Sequence, residues 1–167
     1  MRRFLLIDTA SEPAVVAIAT QRSVLAEASV ADRRQLSEQL LSRIDELSRE
    51  ARQPLDGLAA IGIVSGPGPF TALRIGTAVA NALAYANRTP LVPAAAGETP
   101  SLTAFAALVL ERLKQGKTVR AVLPTYGREP SITPPKESGR RSPDRPSGRA
   151  PQGTAAKPDS ARGRTPH

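Results

Sequence analysis

The sequence Gly66-Pro67-Gly68-Pro69-Phe70-Thr71-Ala72-Leu73-Arg74-Ile75-Gly76 joins a short apolar run to a longer one rich in small residues. The class of the whole chain follows from that junction. Before it, residues 58–64 read Leu-Ala-Ala-Ile-Gly-Ile-Val, the pattern of a strand buried on both faces. After it, residues 71–87 read as a helix. Gly66 and Gly68 let another group approach the backbone closely, and Pro67 and Pro69 stiffen the turn. A strand-to-helix turn of this kind leaves backbone N–H groups free at the helix start, where the helix dipole favours an anion.

The helix has two kinds of face. Ile75, Val79 and Leu83 form an aliphatic row that reads as core. Ala72, Gly76, Ala80 and Ala84 recur every four residues, and a glycine inside a helix costs propensity. Such a row of small side chains lets a second helix approach closely. It serves either tight packing within one domain or docking of a partner, and spacing alone does not choose between them.

Outward from this unit, residues 4–7, 14–19 and 23–30 read as three strands with short links, an antiparallel meander. Leu36, Leu40, Ile44 and Leu47 recur at helical spacing, with Leu41 beside them, so a helix is predicted over residues 35–52. Pro54 and Asp56-Gly57 end it. Leu91-Val92 begins a fifth strand, and residues 102–113 form an amphipathic helix. The predicted order is βββαβαβ plus one C-terminal helix, an α/β chain. From residue 137 onward the chain is Pro, Gly, Ser, Arg and Lys with little to bury, and is expected to be a disordered basic tail.

Composition narrows the functions open to the chain. Its 167 residues suffice for one modest domain. The net charge of +8 suggests an acidic partner such as RNA. Aromatic residues make up only 3%, so platforms for stacking bases are scarce. Without Cys there is neither a disulfide framework nor thiolate chemistry. The single histidine is His167, so no histidine pair for a metal and no Ser/His/Asp arrangement can be built. No apolar run reaches the length of a membrane span, and the apolar residues after Met1-Arg2-Arg3 are too few for a signal peptide. A cytoplasmic protein with no metal and no cofactor is expected.

The stretch Gly66–Gly76 resembles the GPGSFTGLRIG motif of the TsaB (YeaZ) family, with Pro69 in place of Ser and Ala72 in place of Gly. Leu5-Leu6-Ile7-Asp8-Thr9-Ala10-Ser11, Ser37-Glu38-Gln39-Leu40-Leu41 and Pro124-Thr125-Tyr126-Gly127-Arg128 are similar to other pieces of that family. The resemblance covers the first half of the chain well and a short later piece weakly. It implies a single actin-like (ribonuclease H-like) lobe over residues 1–95 and a remnant of a second lobe over 96–136, most of that lobe being missing. The tail then occupies 137–167.

The resemblance further implies a non-catalytic scaffold for threonylcarbamoyl transfer to a tRNA adenosine. It would dock a TsaD-type catalytic subunit through helices 35–52 and 71–87, recruit a TsaE-type ATPase, and serve tRNA indirectly. The expected partner-binding residues are Leu36, Leu40, Ile44, Phe70, Leu73, Arg74, Gly76, Thr77 and Ala80. A weaker expectation is nucleotide binding by Asp8, Thr9, Gly66 and Gly68, after the first phosphate loop of the actin-like superfamily. Asp and Thr are also ordinary turn residues after a strand. Two other readings stand beside the scaffold: an independent ATP-dependent or peptidase-like enzyme, and a homodimer built on the same helices.

Overall fold

In the computed structural model, which describes residues 1–127, one five-stranded sheet carries helices on both faces. The strands are β1 (Arg3–Asp8), β2 (Ala14–Thr20), β3 (Val24–Val30), β4 (Ala60–Gly66) and β5 (Leu91–Ala95). The helices are α1 (Leu36–Glu50), α2 (Phe70–Asn87) and α3 (Leu102–Lys114). The sheet order is β3-β2-β1-β4-β5. β1 pairs antiparallel with β2 and parallel with β4, and β4 pairs parallel with β5. The predicted order βββαβαβ plus a further helix is the one found.

Alternation along β1 builds two cores. Leu5 and Ile7 point to one face with Val16, Ile18, Ile61 and Ile63, under α1 and α2. Phe4 and Leu6 point to the other with Ala17, Ala19, Ala60 and Val64, under α3. A strand buried on both sides is apolar throughout, which is why β1 and β4 lack any polar alternation. The α3 face is lined with small residues, and α3 sits close to it. A Cβ on Gly62 would lie 2.5 Å from Val109 Cγ2 and 3.0 Å from the Phe105 ring.

Local chemistry sets the helix ends. Asp32 accepts a hydrogen bond from Arg34 N at 2.9 Å and opens the turn leading into α1. Ser101 accepts one from Ala104 N at 3.2 Å and caps α3. Arg88 takes a left-handed conformation that ends α2, its N–H returning to the last turn. In α1, Leu36, Leu40, Ile44 and Leu47 are buried, each contributing about 1.5–3 kcal/mol relative to an exposed position.

The expected boundary after residue 95 falls between β5 and the short turn that leads to α3. α3 supplies Phe105, Ala106 and Val109 to the second core, against the same sheet as the strands before it. The expected tail over 137–167 lies outside the described residues. Among the described residues, no helix is long and apolar enough to cross a membrane.

Candidate partner interface

The glycine–proline turn is held by a later part of the chain. Residues 118–127 run along α2 as a strap. Leu91 and Val119 exchange two backbone hydrogen bonds of 3.1 and 2.9 Å beside β5. The Asn81 amide on α2 brackets Val122, donating to its carbonyl and accepting from its N–H, both at 2.9 Å. Thr125 N donates to Ser65 O at 2.7 Å. Tyr126 then stacks on Phe70 with ring centroids 4.5 Å apart, and the Arg74 guanidinium lies 5.3 Å from the Phe70 ring centre.

The residues expected to hold a nucleotide lie within this packing. Gly66 has φ +134°, and a Cβ there would collide with the Thr125 carbonyl oxygen. A Cβ on Gly68 would stand 2.9 Å from that of Ala10. Asp8 Oδ1 accepts from Ala10 N at 2.9 Å and Ser11 N at 3.1 Å, and Oδ2 accepts from Ser11 Oγ at 2.7 Å. It behaves as the carboxylate of a local turn. Thr9 is buried, and its Oγ1 faces Gly76 of α2 without a hydrogen-bond partner. A metal held by a histidine pair does not fit this chain, whose one histidine is His167. Among the described residues, no group of three His, Cys, Asp or Glu side chains gathers around a common point.

The expected partner-binding residues divide in two by burial. Leu36, Leu40 and Ile44 lie in the core beneath α1. Leu73, Gly76, Thr77 and Ala80 are buried on the sheet side of α2, with Thr77 Oγ1 donating to Leu73 O at 2.8 Å. A side chain already covered by its own sheet is not available to a second protein. Gly76 is needed because α2 rides directly over Thr9, so the row Ala72, Gly76, Ala80, Ala84 serves close packing inside the domain. Phe70 and Arg74 are exposed at the start of α2.

What periodicity missed is the outward face of α2. Thr71, Ala78, Ala82 and Ala86 are exposed, and Ile75, Val79 and Leu83 are half-buried beside them. Ile75, Val79 and Leu83 touch the core only from its rim. On α1, Leu41 is 54% exposed. The signal was legible in composition: Arg74 is the sole charged residue among the 18 of α2. A helix apolar all round is ordinarily covered all round, whereas this one presents alanines and aliphatic edges to solvent. Small exposed residues also let another helix approach closely.

Comparison with known proteins gives this geometry a family. Residues 23–106 match the family model described as TsaD, tRNA N6-adenosine threonylcarbamoyltransferase. The tRNA N6-adenosine threonylcarbamoyltransferase of Geobacter metallireducens is 47% identical over 49 residues, 29% of this chain and 14% of that protein. The tRNA threonylcarbamoyladenosine biosynthesis protein TsaB of Haemophilus influenzae is 29% identical over 119 residues, 71% of this chain and 48% of that protein. This chain therefore spans less than half the length of either relative. Among solved structures, YeaZ from Pseudomonas aeruginosa superposes with a TM-score of 0.53 and 29% identity, over 57% of this chain and 44% of that one. With half of its length matched by the family model and its lobe shared with YeaZ, the chain belongs to the family that unites TsaD with TsaB (YeaZ), on the TsaB (YeaZ) side.

Proposed function

We propose that this chain is a non-catalytic scaffold in tRNA threonylcarbamoyladenosine biosynthesis, and that it holds a TsaD-type subunit against the outward faces of α1 and α2. The observation that carries the reading is the solvent face of α2, formed by Ile75, Ala78, Val79, Ala82 and Ala86 with no charge among them. Leu41 of α1 is exposed as well, and Phe70 and Arg74 lie at the start of α2. Burying this face against a helix pair of matching shape would remove apolar surface from water on both partners. The names of the relatives supply the pathway, and the chain's lack of a histidine pair fits an accessory role beside a metal-holding partner.

Docking of this kind acts on the reaction indirectly. The scaffold orders the partner's lobe and so fixes the geometry of a site it does not line. Recruitment of a TsaE-type ATPase would follow from the assembled pair.

Co-expression with a TsaD-type subunit tests the proposal. The wild-type chain should co-purify with it, and Ala82→Glu should abolish pairing while the isolated domain melts within a few degrees of wild type. A complex that survives Ala82→Glu would remove α2's outer face as the interface. A wild-type chain that never pairs but elutes alone at twice its mass would favour the homodimer. ATP turnover by the isolated chain would favour the independent enzyme.

A further inference from the structure

We propose that the groove between the last turn of α2 and the start of the strap binds the phosphates and one base of a single-stranded RNA segment. It is an open trough of about 900 Å³. Tyr85, Arg88, Thr89, Thr118, Val119 and Arg120 form its working surface, and no carboxylate lines it. It lies at the opposite end of α2 from the glycine–proline turn, and none of its residues belongs to the proposed docking face except Ala86, which is at its edge.

Three features point to RNA. The first is charge: among the described residues, neither Arg88 nor Arg120 takes part in an ion pair. Two guanidinium groups lining one trough without an acid make it favourable for an anion. The planar guanidinium fork also matches phosphate oxygens. The second is Tyr85, which is 89% exposed. Its ring has no role in the core and offers a flat face on which a base can stack. The third is shape. An open trough suits a chain passing through, whereas a small free nucleotide is ordinarily enclosed on most sides.

One simpler account covers only part of this. The carbonyl end of α2 attracts a cation, so Arg88 near that end stabilises the helix by itself. Arg120 does not belong to the helix. It is brought to the trough by the strap, through the Leu91–Val119 pairing one residue earlier. Nor does the helix dipole account for an exposed tyrosine lining the same trough. The inference rests on the scaffold reading only for the identity of the RNA as the tRNA of that complex; the trough's chemistry stands apart from it.

The test is a fluorescence titration of the full-length chain with a labelled short oligouridylate, at several salt concentrations. The basic residues beyond Gly127 contribute background binding, so a charge-matched control is required. Arg88→Gln with Arg120→Gln should weaken binding by about tenfold or more. The same pair should flatten the plot of log affinity against log salt by about 1.4, the slope of two single-strand phosphate contacts. Tyr85→Ala should weaken binding by at least about fivefold. Arg22→Gln with Arg34→Gln removes equal charge elsewhere and should change affinity by no more than about twofold. Equal losses in the two double variants would overturn the proposal, since net charge alone would then account for binding. Equal competition by polyglutamate would overturn it too, by reassigning the trough to an acidic peptide.

Pairing with the TsaD-type subunit is measured on the same variants. Unchanged RNA binding with intact pairing defeats the trough and leaves the scaffold standing. Loss of pairing by the wild-type chain defeats the scaffold and leaves the trough to be judged by the titration.

Discussion

Gly76 on α2 and Thr9 at the end of β1 meet with no room for a Cβ between them. One built on the glycine would collide with Thr9 Oγ1 and stand 2.9 Å from Thr9 Cγ2. This contact sets how closely α2 lies on the sheet, and it identifies the row Ala72, Gly76, Ala80, Ala84 as interior. Gly76→Ala should therefore destabilise the isolated domain by about 1–3 kcal/mol, and Gly76→Leu should prevent it from folding. Urea unfolding followed by circular dichroism reads both. A Gly76→Leu domain that folds normally yet fails to pair would return this row to the interface.

Thr9 has a second consequence. Its hydroxyl is buried with no hydrogen-bond partner among the described residues, and a buried unmet hydroxyl costs about 1–3 kcal/mol. Thr9→Val keeps the shape and removes the hydroxyl, so it should raise the unfolding free energy by about 1 kcal/mol. Were Thr9 a phosphate ligand, the same change would instead abolish a nucleotide-dependent signal. Thermal melts with and without ATP separate the two outcomes.

β1, β2 and β4 were legible from their apolar runs, β3 from the short links around it, and α1 because Leu36, Leu40, Ile44 and Leu47 keep one helical period against polar faces. The turn at Gly66 was legible because Gly66-Pro67-Gly68-Pro69 directly follows an apolar run and punctuates it. The facing of α2 was not. Small and aliphatic residues recur on more than one of its faces, so a four-residue row of small residues fits either its sheet side or its outer side. Which side is inward depends on Thr9, a residue 67 positions away in sequence. The strap was equally hidden. Residues 118–127 carry no strong periodicity, and their place is fixed by Asn81 and Leu91, whose pairing with them only the fold reveals.

Asn81 is the side chain that hydrogen-bonds the backbone of the strap. Its amide serves both backbone groups of Val122, whose side chain completes the core beside α2. Asn81→Ala leaves that N–H and carbonyl half-buried and unmet, at a cost of about 1–3 kcal/mol. Hydrogen exchange should show the loss first at the amides of Val122 and Val119, with β1 amides still protected. Uniform loss across the sheet would mean that the strap is not a separately opening unit.

Glu98, in the short turn after β5, gives the domain a component of stability that depends on acid. Its carboxylate accepts from Ala95 N at 2.8 Å and from Arg112 Nη2 at 2.6 Å. The Ala95 N–H holds its pKa below the ordinary value of 4.5; burial opposes this, and Arg112 adds to the lowering. The folded chain thus binds this proton less readily than the unfolded one. The resulting stability is present above the ordinary carboxylate value and is lost as pH falls through it toward the lower folded value. Because the side chain is 41% exposed, solvent screens the pair and the effect is small. Glu98→Gln should melt slightly below wild type at neutral pH, and the two melting temperatures should converge in acid. Arg112→Met should cost more and keep part of its deficit at low pH, because Arg112 also donates to the Pro93 carbonyl, which does not titrate. A Glu98→Gln deficit that stayed constant from neutral pH into acid would show that the carboxylate's charge contributes nothing.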